Sequence, residues 1–120
     1  MLNDPNPVSI RFSDEFEENL YTLSKKYRQI RSDVQPIIEQ FQCGNFTGDR
    51  IPGMGENYVI LKVRVKNSNI QKGKSAGYRL IYQIESPTSV LLLTIYAKSD
   101  REDISPNEIS NILAELDRDE

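Results

Sequence analysis

Hydrophobic residues fall on alternate positions in some stretches of this chain and at helical spacing in others. Between Val59 and Lys66, Val59, Leu61, Val63 and Val65 point one way and Ile60, Lys62, Arg64 and Lys66 the other, the period of a half-buried strand. Tyr78 to Ile84 sets Tyr78, Leu80, Tyr82 and Ile84 against Arg79, Ile81 and Gln83. Val90 to Lys98 sets Leu91, Leu93, Ile95 and Ala97 against Val90, Leu92, Thr94, Tyr96 and Lys98. A shorter strand is predicted over Val8 to Phe12, with Val8, Ile10 and Phe12 on one face.

Helical spacing follows at once. Ser13 or Asp14 caps a first helix on which Phe16, Leu20, Leu23 and Tyr27 recur, acids leading and Lys25, Lys26 and Arg28 trailing, as the helix dipole favours. A second is predicted from Ser32, with Pro36 in its first turn, Val34, Ile37, Ile38 and Phe41 as its stripe and Gly44 as its stop. Asn45 to Asn57 reads as a loop. The last element opens at Ser105-Pro106-Asn107-Glu108, an N-cap, a first-turn proline and a carboxylate three residues after the cap. Ile109, Ile112, Leu113 and Leu116 give its apolar side. The fold class is therefore α+β: a strand, a two-helix hairpin, a three-stranded antiparallel meander and a C-terminal helix. One domain spans residues 1–120, with 1–7 an extended arm.

Composition removes whole classes of chemistry. There is no histidine, so neither Ser-His nor Cys-His nucleophile pairs nor imidazole metal ligands exist. Cys43 is the single cysteine, which excludes an internal disulfide and a cysteine-built zinc site. Neither a metal nor a small-molecule cofactor is expected. No apolar run approaches a membrane span, the N-terminus lacks the pattern of a signal peptide, and a cytoplasmic location is expected. Gly53-Met54-Gly55 is a fragment of a dinucleotide fingerprint and Gly73-Lys74-Ser75 of a phosphate loop, each without the required context.

Charge is unevenly spread. The formal net charge is −3, yet no acid occurs from Asn57 to Ile84, where Lys62, Arg64, Lys66, Lys72, Lys74 and Arg79 all lie. The segment from Asp100 to Glu120 is strongly acidic. If the more apolar strand faces pack on the helices, Lys62, Arg64, Arg79, Tyr96 and Lys98 share the remaining face. Such crowding of cations invites a bound anion. A phosphodiester suits it, with Tyr96 as a surface for base stacking and Lys66, Lys72 and Lys74 as further RNA contacts. Cleavage by the 2′-hydroxyl needs a base, charge stabilisation at phosphorus and an acid. The candidates are Lys62 for proton transfer, Arg79 and Arg64 for the phosphate, and Lys98 for phosphate binding or leaving-group protonation.

The element order, with Gly77-Tyr78-Arg79-Leu80-Ile81-Tyr82 and Leu92-Leu93-Thr94-Ile95-Tyr96-Ala97-Lys98, resembles the RelE/ParE toxin superfamily, and most of all its RelE/HigB-type mRNA interferases. The resemblance implies a bacterial toxin of a type II toxin–antitoxin system that cuts mRNA, usually in the ribosomal A site, without a metal. It also implies a tightly bound protein antitoxin, for which an acidic segment over the basic face is expected. In this resemblance Arg79 matches the strand arginine, Lys62 and Arg64 the basic residues of the preceding strand, and Lys98 the cation after the last strand. A gyrase-poisoning relative on the same fold and a catalytically silent binding module are the alternatives.

Overall fold

The alternating stretches pair into one five-stranded sheet, ordered β1-β5-β4-β3-β2. The computed structural model describes residues 7–70 and 76–118. Its elements are β1 (Ser9–Phe12), α1 (Asp14–Lys26), α2 (Ile30–Gln42), β2 (Asp49–Arg50), β3 (Val59–Val65), β4 (Tyr78–Ser86), β5 (Ser89–Ala97) and α3 (Pro106–Arg118). The expected meander is β3-β4-β5, antiparallel throughout. Two edges complete it. β1 lies parallel to β5, from Ser9 opposite Ser89 to Phe12 opposite Leu92. β2, inside the stretch expected to be loop, sets Asp49 opposite Lys62 and Arg50 opposite Leu61. Its approach requires glycine at position 48, where φ is +118° and an added Cβ would sit 2.6 Å from the Lys62 carbonyl oxygen.

Helices cover both faces of the sheet. Phe16 of α1 and Ile30, Val34 and Phe41 of α2 pack with Val63, Val65, Tyr78, Leu80 and Tyr82 in one core. α3 brings Ile109 to a second core with Met54, Ile60, Ile81, Leu91, Leu93, Tyr96 and Ile104. The opening of α3 is the expected capping box. Ser105 Oγ accepts from the Glu108 amide at 3.2 Å, and Glu108 Oε1 accepts from the Ser105 amide at 3.2 Å.

Strict alternation fails in β5. Ile81 opposes Thr94 but Tyr82 opposes Leu92, so Leu93 is the extra residue of a bulge. Ile95 and Ala97 face α1 and α2 as the alternation predicts, whereas Val90 and Leu92 stand there in place of Leu91 and Leu93. Both sides of β5 are apolar between Val90 and Leu93, so nothing in the residue types marks the change of phase. Ser13 ties the bulge to α1. Its Oγ donates to the Leu93 carbonyl at 2.6 Å and accepts from the Phe16 amide at 3.0 Å, while its own amide donates to the Leu92 carbonyl at 3.0 Å.

Two smaller expectations change. α2 begins at Ile30, two residues before Ser32, which places Pro36 inside the helix and not in its first turn. Asp33 accepts from the amide of Ser68 at 2.9 Å and from its hydroxyl at 3.1 Å, tying α2 to the chain after β3. Phe12 ends β1 exposed, with its ring 5.7 Å from that of Phe16.

Because Ser13 is a buried cap that also satisfies a bulge carbonyl, Ser13→Ala is expected to lower stability by about 1–3 kcal/mol. Urea unfolding measures this, and a variant as stable as the parent would show that the bulge does not depend on this hydroxyl.

Candidate functional site

The antiparallel register sets Arg64, Arg79 and Tyr96 side by side in one row across β3, β4 and β5. Lys62 opposes Ile81 one step along the same face. This face is divided. Ile60, Ile81, Leu91 and Leu93 lie in the core that α3 joins, and the cationic row occupies the other part. Gly77 keeps β4 close to β3 at the end of that row, because an added Cβ would lie 2.1 Å from the Val65 carbonyl oxygen.

Arg79 is the buried member of the group, only 5% exposed. Its Nη1 donates to the Tyr78 carbonyl at 3.2 Å. Burial, and then the neighbouring Arg64, push its pKa below the usual guanidinium value, while Tyr96 and Asp103 act in the opposite sense. An arginine so placed still carries its charge at neutral pH, and burial strengthens its field toward whatever approaches. Arg64 beside it is exposed.

Tyr96 departs from the expected stacking platform. It is 7% exposed and belongs to the core beneath α3, and the Arg101 guanidinium lies over its ring, 5.3 Å from the centroid. No open ring face is presented to a base in this conformation. Its hydroxyl is buried, and although it forms no hydrogen bond of standard geometry, the Asp103 carboxylate lies close enough to act on it as an acceptor. Burial first, then Asp103, push its pKa up to about 12. Tyr96 therefore keeps its proton at neutral pH and is a hydrogen-bond donor within reach of the Asp103 carboxylate.

The segment after β5 supplies groups that the sequence did not assign to the site. Asp103 Oδ1 lies 3.3 Å from Lys62 Nζ, an ion pair closed over 41 residues of chain. The Ile104 amide donates to the same oxygen at 2.8 Å. That amide, then Lys62 and Lys98, hold the carboxyl below its ordinary pKa against a smaller desolvation penalty. Lys98 Nζ donates to the Glu102 carbonyl at 3.1 Å. Arg101 is anchored by Glu108 at 2.6 Å and donates from Nε to the Asp103 carbonyl at 2.9 Å. The strip that is free of acids in sequence is thus not free of them in space, since Asp103 pairs with Lys62 and β2 brings Asp49 opposite it. An acid-rich tail was visible in the sequence, but nothing there selects Asp103.

Of the other expected contacts, Lys66 lies just beyond β3 and is exposed, and Lys72 and Lys74 lie outside the described residues. Among the described residues no group of three or more His, Cys, Asp or Glu side chains is placed to hold a metal ion. Also among them, no helix is long and apolar enough to cross a membrane.

The same arrangement of strands and helices occurs in the free state of an E. coli toxin RelE mutant. The two superpose with a TM-score of 0.53, covering 92% of this chain and 97% of that one at 15% sequence identity. The fold is RelE-like. No family model and no curated protein matches the sequence. The likeness is one of backbone arrangement.

Glu108 closes both the capping box and the Arg101 pair, and its pKa is lowered chiefly by Arg101 and then by the Ser105 amide. A lowered pKa contributes stability that is present above the unfolded carboxylate value and lost as pH falls through the folded one. Glu108→Gln is thus expected to be less stable than the parent at pH 7 and to converge with it below about pH 4. Both partners are substantially exposed, so the difference is small. Thermal melts of both proteins from pH 7 to pH 3 read it out, and a constant gap across that range would sink the assignment.

Proposed function

We propose that this chain is a RelE-type toxin that cleaves mRNA by attack of a 2′-hydroxyl on the adjacent phosphate, and that its cationic face is the active site. The row Arg64, Arg79 and Tyr96 beside Lys62 is the observation that carries this reading. A phosphate seated there meets a buried guanidinium, an exposed one and a phenol that still holds its proton. Charge builds on the non-bridging oxygens as the 2′-oxygen closes on phosphorus. Arg79 and Arg64 oppose that charge, and Tyr96 Oη, which makes no hydrogen bond of standard geometry within the fold, can donate to one of those oxygens. Proton removal from the 2′-hydroxyl falls to Lys62 as a neutral amine, after its ion pair with Asp103 has opened and its own proton has passed to solvent. Lys98 protonates the departing 5′-oxygen, which leaves a 2′,3′-cyclic phosphate behind.

Tyr96 serves in this scheme as a donor and not as a stacking surface, which is where the reading departs from the sequence-based expectation. Contacts to the ribosome and to a cognate antitoxin belong to the same proposal, with an acidic antitoxin segment meeting Arg64 and its neighbours. The ion pair between Lys62 and Asp103 favours a second reading, a catalytically silent module that binds through this face.

Primer extension on an mRNA in a reconstituted translation mixture, with and without ribosomes, decides between them. The parent chain is expected to cut inside the reading frame. Arg79→Lys keeps a charge at the buried position but loses the planar fork, and is expected to lose about two orders of magnitude. Tyr96→Phe keeps the packing and loses the donor, for a drop of about tenfold or more. Full cutting by both variants would remove this site. No cutting by a folded parent would move the weight to the silent module or, if DNA supercoiling is blocked, to a gyrase poison.

A further inference from the structure

The cationic face already holds an anion, and it belongs to the chain. Asp103 Oδ1 is 3.3 Å from Lys62 Nζ, and its charge is felt at Arg79 and balanced by Lys98. The segment that carries it also lays Arg101 over the Tyr96 ring. One strap, residues 98–105, thus covers the lysine and the tyrosine that a ligand on this face would meet. Both its ends are fastened. Lys98 donates from its backbone amide to the Gly77 carbonyl at 2.9 Å, and Arg101 and Ser105 are both held by Glu108.

We propose that Asp103 occupies the phosphate seat of the cationic face, so that the chain is closed by its own carboxylate and a phosphate must displace Asp103 from Lys62 to bind. The proposal rests on reading that face as a phosphate site. A carboxylate and a phosphate monoanion present similar oxygens to an ammonium, and two like charges do not share one seat. The fastening is weak by design of its surroundings: the Asp103 side chain is 65% exposed and that of Lys62 30%, so the pair is screened and breaks at little expense. The Asp103 side chain then turns away from Lys62, while Arg101, Ile104 and Ser105 keep the backbone of the strap in place. The same displacement takes the Asp103 carboxylate away from the Tyr96 hydroxyl, which can then meet the arriving anion.

Asp103→Asn tests this cleanly. The amide keeps an Oδ1 to accept from Ile104 and loses the charge. Asp49→Asn is the control, because it removes the same charge from the residue opposite Lys62 without breaking the observed ion pair. The probe is inorganic pyrophosphate, titrated by calorimetry at constant ionic strength. Asp103→Asn is expected to bind it roughly two- to fivefold more tightly than the parent, the range for one exposed ion pair, with Asp49→Asn closer to the parent. Equal gains in both variants would reduce the effect to net charge and overturn the proposal. So would unchanged or weaker binding by Asp103→Asn, or no binding by any of the three proteins. Pyrophosphate contains no 2′-hydroxyl, so the assay is independent of cleavage. A gain in Asp103→Asn from a chain that cuts no RNA would keep the strap and remove the nuclease.

Discussion

β5 has to serve two cores at once, and the bulge at Leu93 is how it does so. Below the bulge Val90 and Leu92 face α1 and α2; above it Ile95 and Ala97 do, and Leu91, Leu93 and Tyr96 turn to α3. A strand of period two cannot make that exchange without an extra residue. Ser13 accepts the consequence, supplying a hydrogen bond to the carbonyl of the bulged residue and capping α1 with the same oxygen. Tyr96 stands in the row with Arg79 and Arg64 by the phase of β5 above the bulge, whereas Leu91 and Leu93 reach the core of α3 through the shift.

Burial on both faces gives the cationic row its character. On a one-sided antiparallel sheet the same residues would be a solvated surface with screened charges. Here α3 and Ile104 roof part of the face, Arg79 is almost wholly enclosed, and Tyr96 is buried to its hydroxyl. Fixed donors in a partly dry setting need little reorganisation when an anion arrives, and this separates a site from a patch. The cost appears as repulsion between Arg64 and Arg79, which the chain offsets with carboxylates borrowed from distant segments.

Those carboxylates join the two halves of the charge pattern. An acid-poor middle and an acid-rich end look like separate features along the sequence. In the fold they meet, because the turn after β5 carries Arg101 and Asp103 back across the sheet before α3 begins. Glu108 then holds the start of α3 and the root of that turn together. Helix cap, strap and site thus form one electrostatic unit. The RelE-like backbone supplies the frame, and its 15% identity leaves the side chains to speak for themselves.

Local periodicity by itself determined the three long strands, the existence of three helices, the first cap to within Ser13 or Asp14 and the last at Ser105, since each depends on neighbours within a few residues. The faces of β3 and β4 were equally legible, because on each of them the side toward α1 and α2 is the more uniformly apolar. β5 defeated the same reasoning: with leucine on both sides of the bulge, either phase buries apolar surface. β2 and the parallel pairing of β1 rest on backbone hydrogen bonds across the chain, which carry no side-chain signature. The start of α2 was misplaced because Ser32 has capping form, yet the helix already begins at Ile30. Lys62, Arg64, Arg79 and Tyr96 were placed on one face from alternation alone. That Arg79 would be buried, Tyr96 covered and Lys62 paired with Asp103 was decided only by the tertiary structure, because burial and ion pairing depend on which distant segment folds over a face.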